Sequence, residues 1–154
     1  MGYMYEWLNG LFGTNLSDFL WGYDCTTSDY TGGQYYIGIG LVTIIIALIS
    51  VSLFYFFIDS PRWSHRWLPW MFWMLVTSVI SGFVGAGWTV SLYNQGVFGE
   101  CLEVHHGNCW MFGLANFIVS AVLLLLLSFI FKRFSRMNTH TPWMSKFLVW
   151  KIKK

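Results

Sequence analysis

Three cysteines, two carboxylates and two adjacent histidines are the side chains in this chain best equipped for chemistry. Cys101 and Cys109 bracket the run Leu102-Glu-Val-His-His-Gly-Asn108, which holds Glu103, His105 and His106, and Glu100 stands just before it. Cys25 lies far away in the N-terminal segment. Thiols, imidazoles and carboxylates together make a donor set for zinc or copper. The spacing fits no established metal site, however, and neighbouring histidines often fail to converge on one ion. Glu103, His105 and His106 are therefore marginal metal candidates, and a solvated loop closed by a Cys101–Cys109 disulfide is the simpler expectation. Cys25 paired with either of the other two is the alternative, and one thiol is left over in any pairing. There is no C-x-x-C spacing to suggest a thiol oxidoreductase. There is also no Ser-His-Asp constellation and no pair of catalytic carboxylates. Gly85-Ala-Gly87 lies inside an apolar run with no strand before it, so it is not a phosphate-binding loop. The expectation is a protein that is not an enzyme, has no cofactor and does not bind nucleic acid.

The elements that must position these residues are three apolar runs, 36–57, 68–92 and 110–131, none of which contains Asp, Glu, Lys, Arg or His. Each has 22 residues or more, and a helix needs about 20 to cross a hydrocarbon core about 30 Å thick. Apolar residues make up 56% of the chain and charged residues 10%, against roughly 25% charged in a soluble domain. The segments outside the runs are too short to build a core of their own, because chains below about 40 residues rarely fold alone. The fold class is accordingly all-α: one integral membrane domain over 1–154 with three transmembrane helices.

Charge sets the expected orientation. The N-terminal segment carries Glu6, Asp18, Asp24 and Asp29 and no basic residue. The first loop carries Arg62 and Arg66, and the second loop Glu100 and Glu103 with no basic residue. The tail holds Lys132, Arg133, Arg136, Lys146, Lys151, Lys153 and Lys154. Basic residues that alternate in this way across three spans put the first loop and the tail in the cytoplasm of a cell membrane, with the N-terminus outside. The first residues lack a basic start and are interrupted by Glu6, Asn9 and Gly10, so no cleavable leader is expected there.

Both ends read as interfacial helices. Met4, Trp7, Leu8, Leu11 and Phe12 recur at helical spacing up to Gly13. Thr14-Asn15 offers a cap for a second piece, Leu16 to Trp21. These pieces are short and interrupted by polar residues, and so are expected to lie along the outer face rather than cross. Residues 22–34 read as a loop. In the tail, Thr141-Pro142 opens a basic, aromatic helix suited to an anionic leaflet. Trp63, Arg66 and Trp67 in the first loop, and Trp143, Lys146, Trp150 and Lys151 in the tail, are the expected membrane-surface anchors.

Within the runs, small and polar residues form stripes. They are Gly40, Thr43, Ala47 and Ser50 in the first, Ser78, Ser81, Gly82 and Gly85 in the second, and Gly113, Asn116 and Ser120 in the third. In lipid, helices associate through such close-packing and hydrogen-bonding residues. The stripes serve either packing within one bundle or, in a self-associated ring of copies, a pore wall. Three helices alone enclose no channel, so a pore requires a homo-oligomer. The spans lack ionisable groups, which argues against a pump or coupled transporter. The leading expectation is a self-associating channel or pore. The alternative is a non-catalytic accessory or anchoring subunit held to a membrane-protein partner.

Overall fold

The computed structural model describes residues 2–57, 67–97 and 101–132. They are mostly helical, and their only β pairing is an isolated Asp24–Asp29 bridge. Three short helices come first: α1 (Tyr3–Glu6), α2 (Asn9–Phe12) and α3 (Thr14–Trp21). Three long ones follow: α4 (Tyr35–Ser52), which continues as a π-helical turn over Leu53–Phe57, then α5 (Trp67–Asn94) and α6 (His106–Phe131). The stretches Tyr35–Phe56, Leu68–Asn94 and His106–Phe131 are 22, 27 and 26 residues long and apolar enough to cross a membrane. At 1.5 Å per residue the shortest spans about 33 Å. This is the pattern of a multi-pass membrane protein. A helix is the natural form for these runs, because it satisfies its own backbone where lipid offers no partners. Pro69 sits in the first turn of α5, where its missing N–H is not needed.

α6 packs along α5, and α4 lies mainly against α6. The N-terminal segment and the α5–α6 loop share one end of this bundle, here called the cap end. α4 finishes, α5 begins and α6 finishes at the other, the tail end. Two apolar clusters fill the interior. The one at the cap end gathers Tyr5, Phe12, Leu16, Leu20, Tyr36, Ile39 and Phe112. The one at the tail end gathers Ala47, Phe54, Tyr55, Trp70, Met74 and Leu124.

The N-terminal segment lays its apolar face on the bundle. Only one face of it is exposed, through Tyr3, Trp7 and Leu11. Tyr5, Leu8, Phe12, Leu16, Phe19 and Leu20 are buried against the bundle. The physical reason is aromatic. Tyr5 stacks on Tyr36 with centroids 5.3 Å apart, and Phe12 meets Phe112 edge-on at 5.2 Å, geometries that reward ring pairs beyond their buried area. The expected Thr14-Asn15 cap is absent. Gly13 precedes α3 at φ 91°, with no side-chain cap, a left-handed value that suits glycine. α3 ends at Gly22 (φ 93°, ψ 30°). There the Tyr23 N–H reaches the Asp18 carbonyl at 3.0 Å and the Gly22 N–H reaches that of Phe19 at 2.9 Å, which is a Schellman stop. The tail helix expected after residue 140 lies outside the described residues, together with the anchors Trp63, Arg66, Trp143, Lys146, Trp150 and Lys151; Trp67 is the first residue of α5.

Candidate functional site

The polar centre of the molecule is Asn116, the eleventh residue of α6 and thus about 15 Å along the helix from His106. An amide at such a depth must find protein partners, because lipid offers none. Asn116 is fully buried. Its Oδ1 accepts the Tyr5 hydroxyl at 2.7 Å and the Thr43 hydroxyl at 3.0 Å. Its Nδ2 donates to the Ser81 carbonyl at 2.7 Å and to Ser81 Oγ at 3.2 Å. One side chain thereby ties together α1, α4, α5 and α6. Burial raises the Tyr5 pKa to about 12, an effect that the Thr43 hydroxyl partly offsets. Above this node, the Tyr36 hydroxyl donates to Ser17 Oγ at 3.1 Å.

Glycines allow this arrangement by bringing α5 and α6 together. A Cβ on Gly113 would lie 2.6 Å from Ala86 Cβ and 3.0 Å from the Gly82 carbonyl oxygen. A Cβ on Gly85 would lie 2.8 Å from Asn116 Nδ2, and one on Gly82 would lie 3.1 Å from the Gly113 oxygen. Nearer the cap end, the Thr89 hydroxyl reaches the Cys109 carbonyl at 3.3 Å while also bonding to Gly85 and Ala86 within its own helix. Ser81, Gly82 and Gly85 of the second-run stripe therefore meet α6 of the same chain. On the outside of α5, Gly87 has open space around it, and Phe72, Leu75, Ile80 and Phe83 are exposed.

A second polar group ties α4 to α5 at the tail end. Ser50 Oγ and Thr77 Oγ1 lie 2.7 Å apart. Trp73 Nε1 donates to Ser50 Oγ at 2.8 Å and to the Ser50 carbonyl at 3.2 Å. The π-helical turn of α4 begins three residues later, and an outside donor on a helix carbonyl is a known companion of such distortions. Thr77 bonds back to the Trp73 carbonyl at 2.9 Å. Between the two groups, Ser78 and Ser120 carry buried hydroxyls without a hydrogen-bond partner. Of the remaining stripe residues, Gly40 and Ala47 are buried on the inner side of α4.

The loop chemistry differs from the expectation at the cysteines. The bridge joins Cys25 to Cys101, with Cα atoms 5.9 Å apart, and not Cys101 to Cys109. Cys109 is a free, buried thiol. The reason lies in where α6 begins: the helix starts at His106, so Cys109 is already inside its first turn, facing the bundle. Cys101 remains in the loop, beside the segment that follows α3. Asn15 Nδ2 donates to the Glu103 carbonyl at 3.3 Å, a link from the start of α3 to this loop. Glu103, His105 and His106 are exposed. His106 sets its ring edge-on to Tyr93 at 5.6 Å. Among the described residues, no three His, Cys, Asp or Glu side chains are grouped to hold a metal.

Two open clefts lie near the cap end. One, of about 450 Å³, runs along Val84, Trp88, Ser91, Leu92 and Gln95. The other, of about 380 Å³, is framed by Phe19, Tyr23, Asp24, Thr26, Tyr35 and Val97. In the second, Asp24 Oδ1 accepts the backbone N–H of Thr26 at 2.9 Å and its hydroxyl at 2.7 Å. These bonds hold the carboxyl below its usual range and occupy that oxygen. Neither cleft brings a nucleophile together with a base. Comparison of the chain with known proteins finds no matching protein family, no matching curated protein and no matching solved structure.

Proposed function

We propose that this chain is a self-contained, non-catalytic membrane subunit that anchors or steadies a larger membrane assembly. The observation that carries this reading is the saturation of Asn116. The most polar group of the spans uses both ends of its amide on partners within one chain. Gly82, Gly85 and Gly113 are likewise taken up between α5 and α6. The outer surface of the spans is left with large apolar side chains such as Ile45, Phe72, Phe83, Leu126 and Phe129. That surface suits lipid or the flank of an apolar partner, and it is a poor wall for an aqueous path. The cap end faces outside in this reading and the basic tail faces the cytoplasm. The Lys and Arg asymmetry supports that orientation, as does a disulfide at the cap end.

The rival reading is a self-assembled pore. One observation favours it: the Ser78 and Ser120 hydroxyls are buried without partners, and water along a path would satisfy them. Extraction of the protein in native lipid, followed by mass measurement of the intact complex, separates the two. A single copy with a stoichiometric second protein is expected. A homo-oligomer that conducts in single-channel recordings from planar bilayers would replace this reading with the pore.

A further inference from the structure

We propose that residues 2–21 form a removable plug at the cap end, latched by the Cys25–Cys101 disulfide, and that reduction of this bond opens the polar cleft floored by Asn116. The inference does not depend on the anchoring role above.

The plug is seated by specific contacts. Tyr5 has no exposed surface, stacks on Tyr36, lies 5.4 Å from Phe112 and donates to Asn116 at 2.7 Å. Phe12, Leu16 and Leu20 fill the space around it. In water such burial alone would lock the segment in place. Next to a bilayer it does not, because lipid tails solvate apolar side chains as well as a protein interior does. Outside the bundle the segment already has a suitable form. Its exposed face carries Tyr3, Trp7 and Leu11, residues that suit a helix lying in the headgroup layer. Retention therefore depends mainly on what lipid cannot replace. That consists of the Tyr5–Asn116, Tyr36–Ser17 and Asn15–Glu103 bonds, the ring packing, and the covalent tie from the segment after α3 to the loop ahead of α6.

The tie is placed to act as a latch. Cys25 follows α3 by four residues, and Cys101 precedes α6 by five. The bridge thus spans the mouth through which the segment would leave. Residues 22–34 remain as a tether to α4, closed on itself by the Gly32 N–H bond to the Gly22 carbonyl at 2.8 Å. Cys101 is exposed and Cys25 partly so, so a thiolate can reach the bond. An external dithiol attacks one sulfur to form a mixed disulfide and expels the other sulfur as a thiolate, which takes up a proton. The second thiol of the reagent then resolves the mixed disulfide. The dithiol leaves oxidised to its own disulfide, and Cys25 and Cys101 leave as two thiols. Withdrawal of Tyr5 would leave Asn116 Oδ1 with Thr43 alone and uncover an uncharged cleft walled by Tyr36 and Phe112.

The test uses the full chain in lipid nanodiscs, before and after treatment with dithiothreitol. Two readouts are followed by mass spectrometry: amide exchange of residues 2–12 and alkylation of the Cys109 peptide by a maleimide. After reduction, both rates should rise at least tenfold, while amides around Ser50, Trp73 and Thr77 keep their protection. Reoxidation should restore the original rates. Unchanged rates at both sites would overturn the latch. Loss of protection throughout the bundle would also overturn it, since the bridge would then be a staple of the whole fold. Rapid alkylation of Cys109 before reduction would show that no closed plug exists. The double substitution Cys25→Ala, Cys101→Ala should behave as the reduced protein does, without any reagent.

Discussion

Substitution of Gly113 by alanine adds one methyl group at the tightest point between α5 and α6. Its Cβ would sit 2.6 Å from Ala86 Cβ and 3.0 Å from the Gly82 oxygen. Carbon atoms prefer about 3.5–4.0 Å, so the helices must part by roughly 1 Å, and neither obstacle is the end of a flexible side chain. Overpacking of this kind costs about 1–3 kcal/mol. Parting also stretches the Asn116–Ser81 bond of 2.7 Å and the Thr89–Cys109 bond of 3.3 Å, each worth about 0.6 kcal/mol in a membrane protein. The sum is about 2–4 kcal/mol. For a chain of this size about 2–4 °C per kcal/mol applies, which gives a fall in Tm of roughly 4–16 °C. Gly87→Ala is the matched control. It lies on α5 beside Ala86, with nothing within 4 Å of its added Cβ, and it should be neutral or gain up to about 1 kcal/mol from helix propensity. Thermal unfolding in detergent micelles, followed by circular dichroism at fixed protein concentration, measures both variants. Equal behaviour of Gly113→Ala and Gly87→Ala would refute the reasoning. A Gly113→Ala variant that changed copy number but not monomer stability would move the glycine stripe to an interface between chains.

At the tail end, Trp73→Phe removes the indole N–H while Ser50 keeps Thr77 as a partner; unfolding in micelles should show a loss of about 1 kcal/mol. Digestion under non-reducing conditions should recover the Cys25 and Cys101 peptides joined and the Cys109 peptide alone; a peptide joining Cys101 to Cys109 would contradict the observed pairing. The Tyr5 phenol is raised above its ordinary value of 10.0 to about 12 by burial, so the folded state favours its neutral form. Its contribution is fully present below about pH 10 and is lost as pH rises through about 12. Wild-type stability should therefore fall more steeply than that of Tyr5→Phe across that window, and parallel curves would place Tyr5 in a wetter site.

The long helices were legible because lipid imposes a length and excludes charge, and runs 36–57, 68–92 and 110–131 satisfy both conditions without ambiguity. Asn116 was legible as a group in need of a partner, but which partner was not. Thr43 and Ser81 lay on faces the sequence marks as polar, whereas Tyr5 belongs to a segment whose pattern fits an interfacial helix equally well. Amphipathic periodicity reports that one face is apolar, and it is silent on whether lipid or protein covers it. The cysteines failed for a related reason. Nearness in sequence favoured Cys101 with Cys109, but α6 begins before Cys109 and carries that thiol inward, while the fold brings Cys25 across 76 positions to Cys101. The Ser50, Trp73 and Thr77 group had half a signal: Ser50 stood in a stripe, yet nothing in the sequence pattern marks the Trp73 indole as its partner.

A double-mutant cycle between Tyr5→Phe and Asn116→Ala, measured by reversible unfolding in bicelles, tests most directly whether the polar centre is knitted within one chain. The two residues are 111 positions apart and 2.7 Å from hydroxyl to amide oxygen. A coupling of about 0.6–1.7 kcal/mol is predicted. Losses that add to within about 0.3 kcal/mol would mean that the N-terminal segment does not reach Asn116.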